Sequence, residues 1–239
     1  MVRRRARPRL GLCAELQDGA AVRLVLRALA LLGLLAFAGP ASAQQNGQPG
    51  RFDYYVLSLS WSPSYCANAG DRADPSQCRR GKPFAFVVHG LWPQYDQGWP
   101  QDCQYPAPRV PEATLRSMLD VMPGRGLVLH EWRKHGTCSG LDPDAYFDAV
   151  RNALGKVTIP GQFRNVTRPI TTSAPEVENA FRVANPGLAA DMIAVNCEDG
   201  RVSEVRICMD RSLGFTSCPA VDRRACRAGK ITMPPMRGG

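Results

Sequence analysis

The chain has 239 residues, 44% of them hydrophobic and 21% charged, which excludes a disordered polyelectrolyte and suffices for one domain with a sizeable core. Its net charge is +9, but much of that excess lies in the first 43 residues, and the remainder carries about +4. Such a surplus favours polyanionic partners without identifying one.

The Arg-rich start (Arg3, Arg4, Arg5, Arg7, Arg9) leads into an apolar run over residues 28–38, followed by Gly39-Pro40 and Ala41-Ser42-Ala43. This is the layout of a secretory signal peptide cleaved after Ala43. The run is shorter than the roughly 20 residues of a membrane anchor. The expectation is a secreted or periplasmic chain without a membrane anchor. Glu15, Asp18 and the lone Cys13 make the leading segment unusual, and a start near Val22 would give an ordinary signal peptide. Eight of the nine cysteines follow the cleavage site, at 66, 78, 103, 138, 197, 208, 218 and 226. An even count in an exported chain predicts four disulfides. Without a C-x-x-C pair, and with only three histidines, structural zinc is the poorer reading.

Residues 44–50 are polar and read as a disordered leader, with the folded domain over 51–230. Residues 54–61 (YYVLSLSW) alternate in part and predict a strand ending before Pro63. Residues 84–89 (FAFVVH) are apolar on both faces, the pattern of a central strand covered on both sides. Three helices follow. The first spans 111–121; the second opens at Asp142-Pro143 and runs to Leu154; the third starts at the capping box Ser173-Ala-Pro-Glu176 and runs to about Ala184. Residues 193–197 and 205–209 are short strand candidates, and 231–239, with two prolines and two terminal glycines, reads as a frayed tail. With no internal repeat or change of composition, the chain is a single α+β domain, expected to be a monomer.

All three histidines fall in two motifs, His89-Gly-Leu-Trp-Pro-Gln94 and His130-Glu-Trp-Arg-Lys-His-Gly-Thr-Cys138. If the second is helical, His130, Lys134, Glu131 and His135 stand at about 0°, 40°, 100° and 140° around the axis, within one arc. A zinc-protease helix would need a histidine four residues after His130; Lys134 stands there instead. Two imidazoles able to exchange proton roles, beside a carboxylate and an ammonium, are what phosphodiester transesterification requires. One removes a proton from the attacking hydroxyl, the other protonates the leaving oxygen, and the cation stabilises the phosphorane. That chemistry uses no metal and no cofactor.

The pair H-G-L-W-P and H-E-W-x-K-H-G-T-C resembles the two active-site segments of the ribonuclease T2 family. The likeness runs from the L-S-L-S-W strand to the cysteine-rich end and is greatest to bacterial periplasmic members of the ribonuclease I type. It implies an α+β fold with a central, mostly antiparallel sheet packed by helices and stapled by four disulfides. It implies an endoribonuclease of low base specificity acting on single-stranded RNA, which passes through a 2′,3′-cyclic phosphate to 3′-phosphate ends. By motif position, His135 resembles the general base and His89 the general acid. Glu131 completes the catalytic set, and Lys134 and His130 match phosphate and transition-state contacts. Trp92 and Gln94 match base-binding positions. Gln94 stands where some relatives carry a carboxylate, and Ser60 where many eukaryotic members have Gln, which leaves base preference open. The resemblance also implies the pairs Cys66–Cys78, Cys103–Cys138, Cys197–Cys226 and Cys208–Cys218. A second reading is a secreted RNA- or glycan-binding module that stacks ligands on Trp92 and Trp99; it does not account for the His-Glu-Lys-His face.

Overall fold

The computed structural model describes residues 47–236, so the expected signal peptide, Cys13 and the last three residues of the expected tail lie outside the described residues. Six strands form one sheet: β1 (Tyr54–Trp61), β2 (Phe86–Gln94), β3 (Ile170–Thr172), β4 (Ile193–Glu198), β5 (Arg201–Met209) and β6 (Ile231–Met233). The path runs β2-β1-β5-β6-β3, with β4 paired to β5. Every pairing is antiparallel except the single β5–β6 contact, Arg201 opposite Thr232. The helices longer than four residues are α1 (Ser62–Ala69), α2 (Glu112–Met118), α3 (Arg125–Lys134), α4 (Pro143–Gly155) and α5 (Ala174–Ala184).

Alternation along β1 divides the molecule. Tyr55, Leu57, Leu59 and Trp61 enter the main core with Val128 and Trp132 of α3, Tyr146 and Phe147 of α4, and Val177 and Phe181 of α5. Tyr54 and Val56 face the other way, into a smaller cluster with Ala194, Cys208 and Val221, against which Trp92 packs. The tyrosine hydroxyl of Tyr146 donates to the Leu91 carbonyl at 2.9 Å, fixing α4 on β2.

The helix signals act as their chemistry dictates. Asp142 accepts the Ala145 N–H at the start of α4, and at the start of α5 the Glu176 carboxylate accepts both the N–H and the hydroxyl of Ser173, at 2.8 and 3.0 Å. The first expected helix is shorter than its apolar pattern: α2 starts at Glu112 and gives way at Leu119 to a turn.

Three expectations are corrected. β2 begins at Phe86 and continues to Gln94, and it is an edge strand rather than a central one. It reads as apolar because helices cover it, and its edge is partly satisfied outside the sheet, the Val88 N–H being taken by the Val121 carbonyl. The expected frayed tail contains β6, pinned by Trp61, whose indole N–H donates to the Pro234 carbonyl at 3.0 Å. Residues 47–50 of the expected disordered leader are docked: Gly50 donates its N–H to the Cys138 carbonyl at 3.0 Å. Gly140 (φ 80°) permits this approach, since a β-carbon there would strike Gly50.

All four disulfides are present with the pairing that the resemblance implied. Two of them, Cys103–Cys138 and Cys208–Cys218, anchor segments beside the site.

Candidate active site

A β-bulge builds the first half of the site. Ser58 lies opposite Gly90 and Leu59 opposite Val88, so His89 is the extra residue. The insertion lets Val88 and Leu91 both reach the core while His89 and Trp92 leave it. Any side chain at Gly90 would push the site apart: a β-carbon would collide with Glu131 Oε2 and the Trp92 indole nitrogen.

Helix α3 supplies the second half. Val128 and Trp132, four apart, bury one stripe, and Trp132 donates its indole N–H to the Pro108 carbonyl at 2.7 Å. The helix ends at Lys134, so His135 stands just beyond it, with φ −116°. The last carbonyls are satisfied: Lys134 accepts the Asp102 N–H at 2.9 Å and Arg133 the Thr137 hydroxyl at 2.8 Å. The Cys103–Cys138 disulfide closes the same turn.

All seven expected site residues, His89, Trp92, Gln94, His130, Glu131, Lys134 and His135, line one cavity of about 270 Å³. Glu131 is its buried centre. Its Oε2 accepts the Trp92 indole N–H at 2.7 Å, and its Oε1 lies 3.5 Å from His89 Nε2. The Trp92 ring stands 5.3 Å from that of His135 and 5.2 Å from that of His89. Gln94 is buried and donates its side-chain amide to the Pro93 carbonyl.

The sequence reading missed Glu204 and Arg206. Glu204 Oε1 lies 2.5 Å from His89 Nδ1, while its Oε2 accepts from Arg206 Nε at 2.9 Å and Nη2 at 2.7 Å. The Arg206 guanidinium also sits over Trp92, 5.1 Å from the ring centre. Two charges alternating with buried Val205 and Ile207 look like an ordinary solvated strand face. Only the register across β1, Ser60 opposite Glu204 and Ser58 opposite Arg206, carries them to the site. Val56, Val221 and Arg224 also line the cavity and were not anticipated. Trp99, half-exposed, lies at its rim with Arg224 over the ring.

The two central imidazoles are driven apart. For His89, burial opposes protonation, but the hydrogen bond and charge of Glu204, joined by Glu131, outweigh it and raise the pKa. For His135, burial and then the charge of Lys134 and the other histidines lower it to about 3. Burial and Lys134 likewise lower His130. Burial raises Glu131 against the pull of His89 and the Trp92 hydrogen bond. Burial works against ionisation of Glu204, yet the His89 hydrogen bond and charge, with Arg206, bring it down to about 2. Among the described residues no three His, Cys, Asp or Glu side chains group as a metal site.

The fold and site thus define a disulfide-bonded α+β protein whose cavity holds two oppositely tuned histidines around a buried carboxylate. The profile of the Ribonuclease T2 family matches residues 52–218. The chain is 42% identical over 133 residues to a "Ribonuclease" of Aeromonas hydrophila, covering 55% of this chain and 59% of that one. It is 35% identical over 196 residues to "Ribonuclease I" of Escherichia coli, covering 64% and 73%. The "Probable ribonuclease" of Haemophilus influenzae is matched over 45% of its length, so the chain spans about half the length of some relatives. Among solved structures, that of RNase NT in complex with 5′-AMP superposes with TM-score 0.56 at 26% identity, over 78% of this chain and all of that one. The chain belongs to the ribonuclease T2 family.

Proposed function

We propose that the protein is an endoribonuclease, secreted or periplasmic, that cleaves single-stranded RNA through the substrate's own 2′-hydroxyl. The observation that carries this reading is the opposed tuning of His89 and His135 in one cavity: the surroundings favour the charged form of one imidazole and the neutral form of the other, which separates acid from base. In the first step neutral His135 takes the 2′-hydroxyl proton, the 2′-oxygen bonds to phosphorus, and the bond from phosphorus to the 5′-oxygen breaks. That oxygen leaves with the proton of His89. In the second step His89 takes a proton from water, the water oxygen attacks the cyclic phosphate, and the released 2′-oxygen is protonated by His135. A 3′-phosphate remains. Lys134, Glu131 and His130 surround the phosphate and stabilise its transition state.

Trp92 and Gln94 line the cavity beside the histidines, and the half-exposed Trp99 at its rim offers a face on which a base can stack. Stacking tolerates any base, which supports low base specificity. Four disulfides support an oxidising compartment. A pure binding module would use Trp99 but has no need of the two oppositely tuned histidines. Digestion of a mixed-sequence RNA tests the reading: 2′,3′-cyclic and 3′-phosphate ends are expected, with DNA uncut. Ends bearing 5′-phosphate, or DNA cut at a comparable rate, would overturn it.

A further inference from the structure

We infer that Glu204 is the positioning residue that fixes His89 in its proton-donating orientation, and that Arg206 sets how strongly it does so. The inference deepens the reading above and rests on it for the catalytic step.

Glu204 lies outside both histidine motifs, and its side chain is only 12% exposed. Each carboxylate oxygen has its own partner: Oε1 meets His89 Nδ1 at 2.5 Å, and Oε2 takes both N–H groups of Arg206. A bond this short to Nδ1 fixes the ring against flipping and leaves Nε2, 3.5 Å from Glu131 Oε1, as the nitrogen that faces the reacting phosphate. The proton inventory then closes over both steps. When Nε2 gives its proton to the 5′-oxygen, the neutral ring keeps Nδ1–H on Glu204, so the lone pair is on Nε2. That lone pair is the base the second step needs. One hydrogen bond therefore selects the working tautomer in each direction, as a carboxylate does behind a catalytic or metal-bound histidine.

Arg206 restrains this effect. It shares the Glu204 charge, and its own charge acts on His89 in the opposite sense. The other groups facing His89 are Glu131 and His130 from α3 and His135 just past its end. None of these hydrogen-bonds Nδ1.

The test uses the intact disulfide-bonded protein labelled with ¹⁵N-histidine, whose three histidines give a readily assigned spectrum. Titration of His89 and the pH profile of RNA cleavage are measured for the parent, Glu204→Gln and Arg206→Gln. In Glu204→Gln, His89 should titrate at lower pH and the basic limb of kcat/KM should move the same way. Cleavage should fall about tenfold near pH ~8 and change little near pH ~5. In Arg206→Gln both shifts should run upward. A loss of activity equal at every pH, with the His89 titration unmoved, would show a merely structural role and overturn the inference. Should Glu204→Gln not fold, the sign of the Arg206→Gln shift decides. A parent protein that cuts no RNA would sink the proposed function, while the titrations would still report on Glu204.

Discussion

The indole N–H of Trp92 is donated to Oε2 of Glu131 at 2.7 Å, so an aromatic side chain on β2 fixes a carboxylate on α3. Phenylalanine at this place keeps an aromatic face but loses the donor. A hydrogen bond to a charged group contributes about 1.5–3 kcal/mol. Trp92→Phe should therefore lower kcat for RNA by about 10- to 100-fold with KM nearly unchanged. A raised KM at unchanged kcat would instead assign Trp92 to base binding.

His89→Ala and His135→Ala should each reduce turnover by roughly 10²–10⁴-fold, the usual worth of a positioned acid or base. Circular dichroism should remain close to the parent in both; melting should change little in His89→Ala, because His89 is a third exposed and sits at an edge strand, and should fall in His135→Ala, where a buried ring is removed. Near-normal activity in either folded variant would remove that residue from the mechanism.

Gly90→Ala tests the close approach of the two motifs. The added methyl meets the Glu131 carboxylate and the Trp92 indole nitrogen, two groups that bond each other. Overpacking of this kind costs about 1–3 kcal/mol. We expect a lower melting temperature together with a loss of activity larger than stability alone explains at 25 °C. A fully active variant would mean that the Trp92–Glu131 pair can separate without consequence.

Much of the site was legible because chemistry and spacing coincide in it. All three histidines fall in two short motifs, and the arc that puts Glu131 and Lys134 on one helical face survives even though the helix stops at Lys134. The strand of β1 and the caps at Asp142 and Ser173 were legible for equally local reasons. What stayed hidden depends on long-range pairing. The bulge at His89, the edge position of β2 and the arrival of Glu204 beneath His89 are matters of register between strands distant in sequence. β6 looked frayed because three residues between glycine and prolines carry little signal; its burial comes from β3 and Trp61.

The Cys103–Cys138 disulfide closes a loop across a sequence separation of 35 residues and ends beside the last turn of α3. Replacing either cysteine by serine should lower stability by about 2–5 kcal/mol. The Asp102 N–H that caps Lys134 lies next to this link, so the variant should also lose activity before it melts. Peptide mapping that found both cysteines free in active protein would contradict the pairing.

The last prediction concerns acid. His135 is buried, and its Nδ1 has no hydrogen-bond partner among the described residues, so an imidazolium there would hold its charge away from water with no acceptor at Nδ1 to offset it. Its pKa falls to about 3 through burial and then the charge of Lys134. A histidine depressed in the folded state contributes stability that is complete above its ordinary value of 6.5 and is lost as pH falls toward about 3, because the unfolded chain takes the proton first. His89 has the opposite sign: its raised pKa gives stability that is full below 6.5 and fades as pH rises through the folded value. Glu204 acts later, with stability complete above 4.5 and lost as pH drops through about 2. Between about pH 6.5 and 4.5 the falling limb therefore belongs to His135 together with His130, whose pKa is also lowered, each with a slope of at most about 1.4 kcal/mol per pH unit for one proton. Melting curves across that window should decline in the parent and decline less steeply in His135→Leu, which keeps an apolar side chain but cannot be protonated. Parallel slopes in the two proteins would mean that His135 takes up its proton as readily folded as unfolded, and the neutral base in the cavity would be lost with it.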